Sequence, residues 1–319
     1  MPADGEKVRS DADRVTRASS FGARWGLYFR ERFPLPLHTP VIAVFAWSTF
    51  TYARALQGER AFPAAVPLAV AFVVVLLFFL QLRIFDEFKD FEDDSRFRPY
   101  RPVPRGIVTL HSLGWLWLIT AVIQAAASTL LGAQVLAMLV LVWAYSGLMA
   151  VEFFARRWLK SHAIAYMASH MVVVPLIVAY VAVCAGAQGP VAPLLWFAGM
   201  SYLSFCVFEI GRKIRSPADE ETGVETYSAL WGRRGAVLSW LAVMAGAGVL
   251  AVFAANEIDA LPLTSGLAAA VFILAAGYGR KFAINPRPAR GKVFLALSGV
   301  WLVAMYLALG FGAWAHLRT

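Results

Sequence analysis

The chain has 319 residues, of which 60% are hydrophobic and only 15% are Asp, Glu, Lys or Arg, and its net charge is +9. A typical soluble domain carries roughly 25% charged residues, so this composition excludes a soluble protein of the same size. The basic excess fits anionic lipid and positively charged cytoplasmic loops better than nucleic acid, which is not expected as a partner.

Residues 1–34 read as a flexible cytoplasmic arm rich in basic side chains (Lys7, Arg9, Arg14, Arg17, Arg24, Arg30, Arg32), with no apolar run of the signal-peptide kind. Residues 35–319 read as a single transmembrane domain. Apolar stretches long enough for a ~30 Å hydrocarbon core fall at roughly 38–56, 64–84, 110–128, 131–150, 163–186, 191–210, 235–256, 260–279 and 293–314. Their unbroken apolarity favours helices over the alternating strands of a barrel. The expected fold is therefore all-α, a polytopic membrane protein with nine transmembrane helices. Pro67 and Pro175 read either as kinks around a cavity or as prolines tolerated in lipid-facing helices. Cys184 and Cys206 read as small buried hydrophobes.

Lys and Arg recur in alternate loops. They comprise Arg96, Arg98, Arg101 and Arg105 after the second span, Arg156, Arg157 and Lys160 after the fourth, Arg212, Lys213, Arg215, Arg233 and Arg234 after the sixth, and Arg280, Lys281, Arg287, Arg290 and Lys292 after the eighth. The intervening loops are short and nearly free of basic residues. The positive-inside rule then puts the N-terminus in the cytoplasm and the C-terminus across the membrane, which requires an odd number of spans.

Two of the basic loops are also acidic. In residues 82–106, Asp86, Asp90 and Asp94 recur at a spacing of four, which on a continuing helix stacks them on one face. Lys89 and Arg96 offset some of that repulsion on a solvated helix end. A hard cation relieves more of it, and Mg²⁺ prefers carboxylate oxygens and is commonly shared with substrate phosphates. In residues 208–232, Glu209 precedes Arg212, Lys213 and Arg215, and Asp219, Glu220 and Glu221 follow. This set can hold an anion and a metal together, since Lys and Arg are natural diphosphate ligands. Topology anchoring and helix capping near Thr222 and Gly223 account for the same residues.

At these two loops the chain resembles the UbiA superfamily of intramembrane prenyltransferases, and the resemblance extends from the first span to the ninth. The family's first motif, Asn-Asp-x-x-Asp-x-x-x-Asp, places its last two aspartates on Asp86 and Asp90 and its Arg-Pro-x-x-x-Gly exit on Arg101, Pro102 and Gly106, whereas its leading Asn-Asp meets Leu82 and Arg83. The second motif matches at Asp219, Gly223 and Thr226, but its preceding aspartate meets Arg215, and Glu209 is the expected replacement. Tyr145 with Arg156 or Arg157 resembles the family's Tyr and basic patch after the fourth span.

The resemblance implies nine helices around a central cavity and a site on Asp86, Asp90 and Asp219. It further implies Mg²⁺ held among Asp86, Asp90, Asp94, Glu209 and Asp219, and a diphosphate bound by Arg101, Arg156, Arg157, Arg212 and Lys213. The reaction implied is Mg²⁺-dependent transfer of a polyprenyl group from an allylic diphosphate to an unidentified acceptor, in a bacterial inner membrane. A terpene cyclase or a phosphosugar transferase on the same scaffold is the near alternative. A transporter or non-catalytic membrane scaffold is the distant one, for which ionisable groups at mid-membrane are expected. The catalytic base stays open among Glu152, His162 and His170, and so does the oligomeric state.

Overall fold

The computed structural model describes residues 19–59, 65–187, 192–287 and 290–318. All regular structure among the described residues is helical. Helix α1 (Phe21–Arg32) comes first, capped by Ser20, whose Oγ accepts from the Ala23 amide. Its Leu27 and Tyr28 are buried, as is Phe33 just after it. Residues 19–34, nearly half of the segment expected as a flexible arm, are thus part of the described fold, while residues 1–18 lie outside the described residues.

The spans follow as α2 (Leu35–Ala55), α3 (Ala65–Lys89), α5 (Leu110–Thr129), α6 (Ala133–Ala150), the pair α8 (Ala163–Met171) and α9 (Val173–Cys184), α10 (Ala192–Arg212), α11 (Tyr227–Asn256), α12 (Leu261–Ile284) and α13 (Gly291–His316). Two short helices, α4 (Phe91–Phe97) and α7 (Arg156–Ser161), lie in the loops. With α8 and α9 counted as one span, eight of these are long and apolar enough to cross a membrane. Helix α2 has spanning length but is more polar. It buries Ser48, Thr49 and Thr51, and both threonine hydroxyls donate to carbonyls one turn back, at 2.8 and 2.7 Å.

Packing gives α2 its place among the spans. Each span contacts the next in the chain, and α13 packs back along α2, so the nine described helices close into a ring. Helix α9 also touches α2 and α3, which fills the ring at that end. The chain breaks at Val172 between α8 and α9, just before Pro175. Proline has no amide hydrogen to offer Met171 and its ring crowds that carbonyl, which accounts for the break. Pro67, by contrast, occupies the first turn of α3, where an amide hydrogen has no helical partner to lose.

Buried side chains clip neighbouring helices together. Gln81 donates to Thr120 Oγ1 (3.1 Å), Trp143 to Gln124 Oε1 (3.0 Å), and Trp240 Nε1 to Ser298 Oγ (2.9 Å). Such bonds compensate for the absence of a hydrophobic drive between helices in lipid. The outward faces carry exposed Ile119, Val122, Ile273 and Leu274, as a lipid-facing surface requires.

The charged end of the ring is built on Asp94. It is 1% exposed and is paired with Arg101, Arg98 (3.3 Å) and Arg32 of α1 (3.9 Å). Arg32 also bonds Glu87, a buried carboxylate of α3. Asp94 therefore ties α1, α4 and the loop after α4 to the end of α3. Removing one partner of a buried ionic cluster costs about 3 kcal/mol or more. Asp94→Asn is expected to lower thermal stability by that order, read by unfolding in detergent. A variant that melts with wild type contradicts this role.

Candidate active site

Helix α3 runs past the apolar core and ends in Asp86 and Lys89, and Asp90 follows as the N-cap of α4 without bonding its amides. Asp86 is half exposed and pairs loosely with Arg83, at 3.5 Å. Burial first, then the charges of Asp86 and Asp94, hold the Asp90 carboxyl above the usual carboxylate range. Helix α10 ends similarly. Glu209 is nearly buried and bonds Arg212 through two atoms, and Lys213 approaches it at 3.1 Å. Arg212 lies within the field of Asp86.

Between these two helix ends stands α8. Tyr166 and His170 are four residues apart on one face of it, and their rings stack at 4.0 Å. Lys89 donates to the Tyr166 hydroxyl (2.7 Å) and lies 3.2 Å from His170 Nε2. His170 Nδ1 faces the Tyr166 carbonyl at 2.8 Å. That contact makes Nδ1 the donor and leaves Nε2 to accept from Lys89. The charges of Asp86 and Glu209 reach both Tyr166 and His170.

Below this charged mouth lies an aromatic floor. Phe79 precedes Asp86 by seven residues on α3, and Phe205 precedes Arg212 by seven on α10, so each lies on the face of its charged partner and about 10 Å deeper. The two rings stack at 5.7 Å, and Phe45 of α2 meets both edge-on at 6.2 Å.

The two acidic loops touch. Gly223, with φ +77°, lies against the Phe97 ring of α4, so close that a Cβ there would sit 2.5 Å from it. The second loop is closed on itself by bonds from the Tyr227 amide to the Lys213 carbonyl (3.1 Å) and from the Arg215 amide to Ser228 Oγ (2.9 Å). Thr226 caps α11 and donates to Glu220.

A model of the UbiA prenyltransferase family matches residues 45–298 of the chain. The chain belongs to the UbiA prenyltransferase family. Its fold is similar to that of an apo UbiA homologue from Aeropyrum pernix K1 (TM-score 0.62, 18% identity, covering 86% of this chain and 97% of that one). It is also similar to a digeranylgeranylglyceryl phosphate synthase (0.56, 16%, 87% and 98%) and to a UbiA homologue from Archaeoglobus fulgidus solved with DMAPP and Mg²⁺ (0.53, 11%, 86% and 98%). No curated protein matches.

Within this UbiA-family chain, the residues expected as ligands separate into distinct groups. Asp86 and Asp90 stay together, with Arg212 and Lys213 nearby. Asp94 and Arg101 do not join them, because each is consumed in the buried ionic cluster. Arg156 turns away to Glu152 and to the Lys89 carbonyl, and Arg157 is exposed on α7 with no site contact shown. Asp219 accepts from Ser216 Oγ and stays in its own loop, where Arg215 bonds Glu221 at 2.8 Å. Among the described residues, no three His, Cys, Asp or Glu side chains converge as metal ligands.

The donor chemistry therefore suits Mg²⁺ at one half of the expected set. Asp86 and Asp90 present hard oxygens whose mutual repulsion a cation relieves. Glu209 is already neutralised by Arg212 and Lys213, so the second motif contributes positive charge where a metal-binding carboxylate was expected. Lys89, at a variable position within the first motif, and Tyr166, outside both motifs, lie bonded to each other beside these groups. The four-residue spacing of Tyr166 and His170 was the available signal for them.

Asp90 gives a pH signature. A carboxyl whose pKa is raised by folding binds its proton more tightly in the folded state, so metal-free stability increases as pH falls through that raised pKa. Asp90→Asn carries no charge at any pH. It is expected to melt above wild type near pH 7 without metal, and the gap should close towards about pH 4. Thermal unfolding with chelator at both pH values checks this, and a gap independent of pH contradicts it.

Proposed function

We propose that the protein transfers a polyprenyl group from an allylic diphosphate to an acceptor inside the membrane. The observation that carries this reading is the pairing of a charged mouth with an aromatic floor. Asp86 and Asp90 end one helix and Arg212 and Lys213 end another, with Arg212 within the field of Asp86, and the stacked Phe79 and Phe205 rings lie deeper on the same two helices of the apolar ring.

The division of labour follows from charge. Asp86 and Asp90 would hold Mg²⁺, which when bound supplies neutralising charge to the diphosphate. Arg212 and Lys213 supply fixed donors to the same oxygens, the planar guanidinium in fork geometry and the ammonium as a point charge. Glu209 keeps both cations oriented. The allylic C–O bond breaks with its electron pair on the departing diphosphate. Phe79, Phe205 and Phe45 then offer ring faces and edges to the allylic cation, and they exclude water from it. Low-identity relatives whose solved structures hold DMAPP or GPP with Mg²⁺ support the substrate class.

The positive-inside pattern supports a cytoplasmic site, with the N-terminus on the same side. Single cysteines at Ser95 and Ala218, both exposed, are expected to react with an impermeant maleimide from the cytoplasmic side alone. Labelling of either from outside contradicts this orientation.

Geranyl diphosphate binding to protein in nanodiscs tests the chemistry. Wild type is expected to bind more tightly with Mg²⁺ than without. Asp90→Asn is expected to lose that gain and about 10²-fold in turnover, the scale of a lost electrostatic stabiliser. Arg212→Lys keeps the charge but loses the fork, for an expected drop of about 10-fold in affinity. Binding that ignores Mg²⁺ and survives both substitutions contradicts the proposed site.

A further inference from the structure

The end of α3 serves two sides. Asp86 and Asp90 face the proposed diphosphate site, while Phe85, Phe88 and Lys89 line a separate cavity of about 440 Å³ between α3, the start of α5 and the end of α6. That volume lies in the range of small-molecule sites, roughly 300–1,000 Å³. Its walls are apolar, with Phe88 and Val151 also exposed, and its polar groups are Lys89, Glu152 and Arg156 together with Glu92.

Glu152 is the unusual member. It is 5% exposed. Lys89 approaches its Oε1 at 3.7 Å and Arg156 its Oε2 at 3.5 Å, distances that balance charge. Oε2 nevertheless has no hydrogen-bond donor. A buried carboxylate oxygen without a donor is rare in folded proteins. The backbone that holds it is equally uncommon, since Glu152, Phe153 and Phe154 have φ of +50°, +52° and +58° without a glycine among them. Strained segments of this kind cluster at ligand sites.

We propose that this cavity binds the hydroxyl head of an uncharged amphiphile, with the O–H donating to Glu152 Oε2. Two cations and two carboxylates line the cavity, so neither an anionic nor a cationic head gains net attraction there. The apolar body would lie against Phe85, Phe88 and Val151 and continue into lipid. Lys89 joins this cavity to the other site, because its ammonium also holds Tyr166 and His170. Hydroxyl binding here does not depend on the transfer reading.

A 4-nonylphenol carrying a diazirine in its alkyl chain, added to protein in phosphatidylcholine nanodiscs without diphosphate, tests the proposal. Crosslinks mapped by mass spectrometry are expected at the end of α3 and at residues 150–152, and unlabelled nonylphenol should compete for them. Glu152→Gln is expected to reduce labelling at least fivefold. Val151→Trp, which fills the cavity and leaves the Glu152 ion pairs in place, is expected to do the same at an unchanged melting temperature. Labelling elsewhere, or labelling that both variants retain, overturns the site. Competition by dioleoylglycerol as strong as by nonylphenol supports a lipid hydroxyl as the occupant, and competition by neither overturns hydroxyl binding. Geranyl diphosphate binding, measured separately on the same samples, reports on the transfer reading independently of all these outcomes.

Discussion

A buried ionic charge is costly to leave unpaired, and that constraint shapes the charged end of this protein. The helix ring is apolar along its length, and its ionisable groups gather mainly at one end, where each buried carboxylate among the described residues has a basic partner. Asp94 answers three arginines, Glu87 answers Arg32 and Arg83, and Glu209 answers Arg212 and Lys213. Lys160 reaches Asp93 at 3.1 Å and so ties α7 to α4. Against this background the loosely paired Asp86 and the charge-crowded Asp90 stand out as the groups with capacity for a ligand.

The same pairing explains why the two acidic loops, alike in sequence, differ in role. The first loop leaves Asp86 and Asp90 loosely paired and spends Asp94 on architecture. The second spends Asp219, Glu220 and Glu221 on its own hydroxyls and on Arg215, which closes the loop and presents Arg212 and Lys213. Gly223 then lets this loop seat on Phe97, since no side chain fits in that gap. A site with metal-binding groups on one helix end and fixed cations on the other follows from how the charges are distributed.

Lys89 is the element common to both sides of α3. Its ammonium is shared by Tyr166, His170 and Glu152, so it separates the diphosphate side from the neighbouring cavity while touching both. Its bonds to Tyr166 and His170 also fix the orientation of these two stacked rings.

Much of the architecture was legible in the sequence because hydropathy and loop charge are local properties. They identified the helical class and the nine spans, and the motif spacing singled out Asp86, Asp90, Arg212 and Lys213 as the candidate site. The polar α2 fell below the apolarity of the other eight, yet ring closure against α13 makes it a full member. The residues that pair elsewhere are those whose type suits two partners equally. Asp94 and Arg101 have the chemistry of ligands, and only burial beside Arg32 and Arg98 commits them to each other. Arg156 lies near the right loop, but the left-handed turn after α6 directs it to Glu152. Residue type and spacing settled which groups were available for chemistry. Which of them remain free to do it was decided by tertiary contacts, because the pairing energy of a charge depends on neighbours that are distant in the chain.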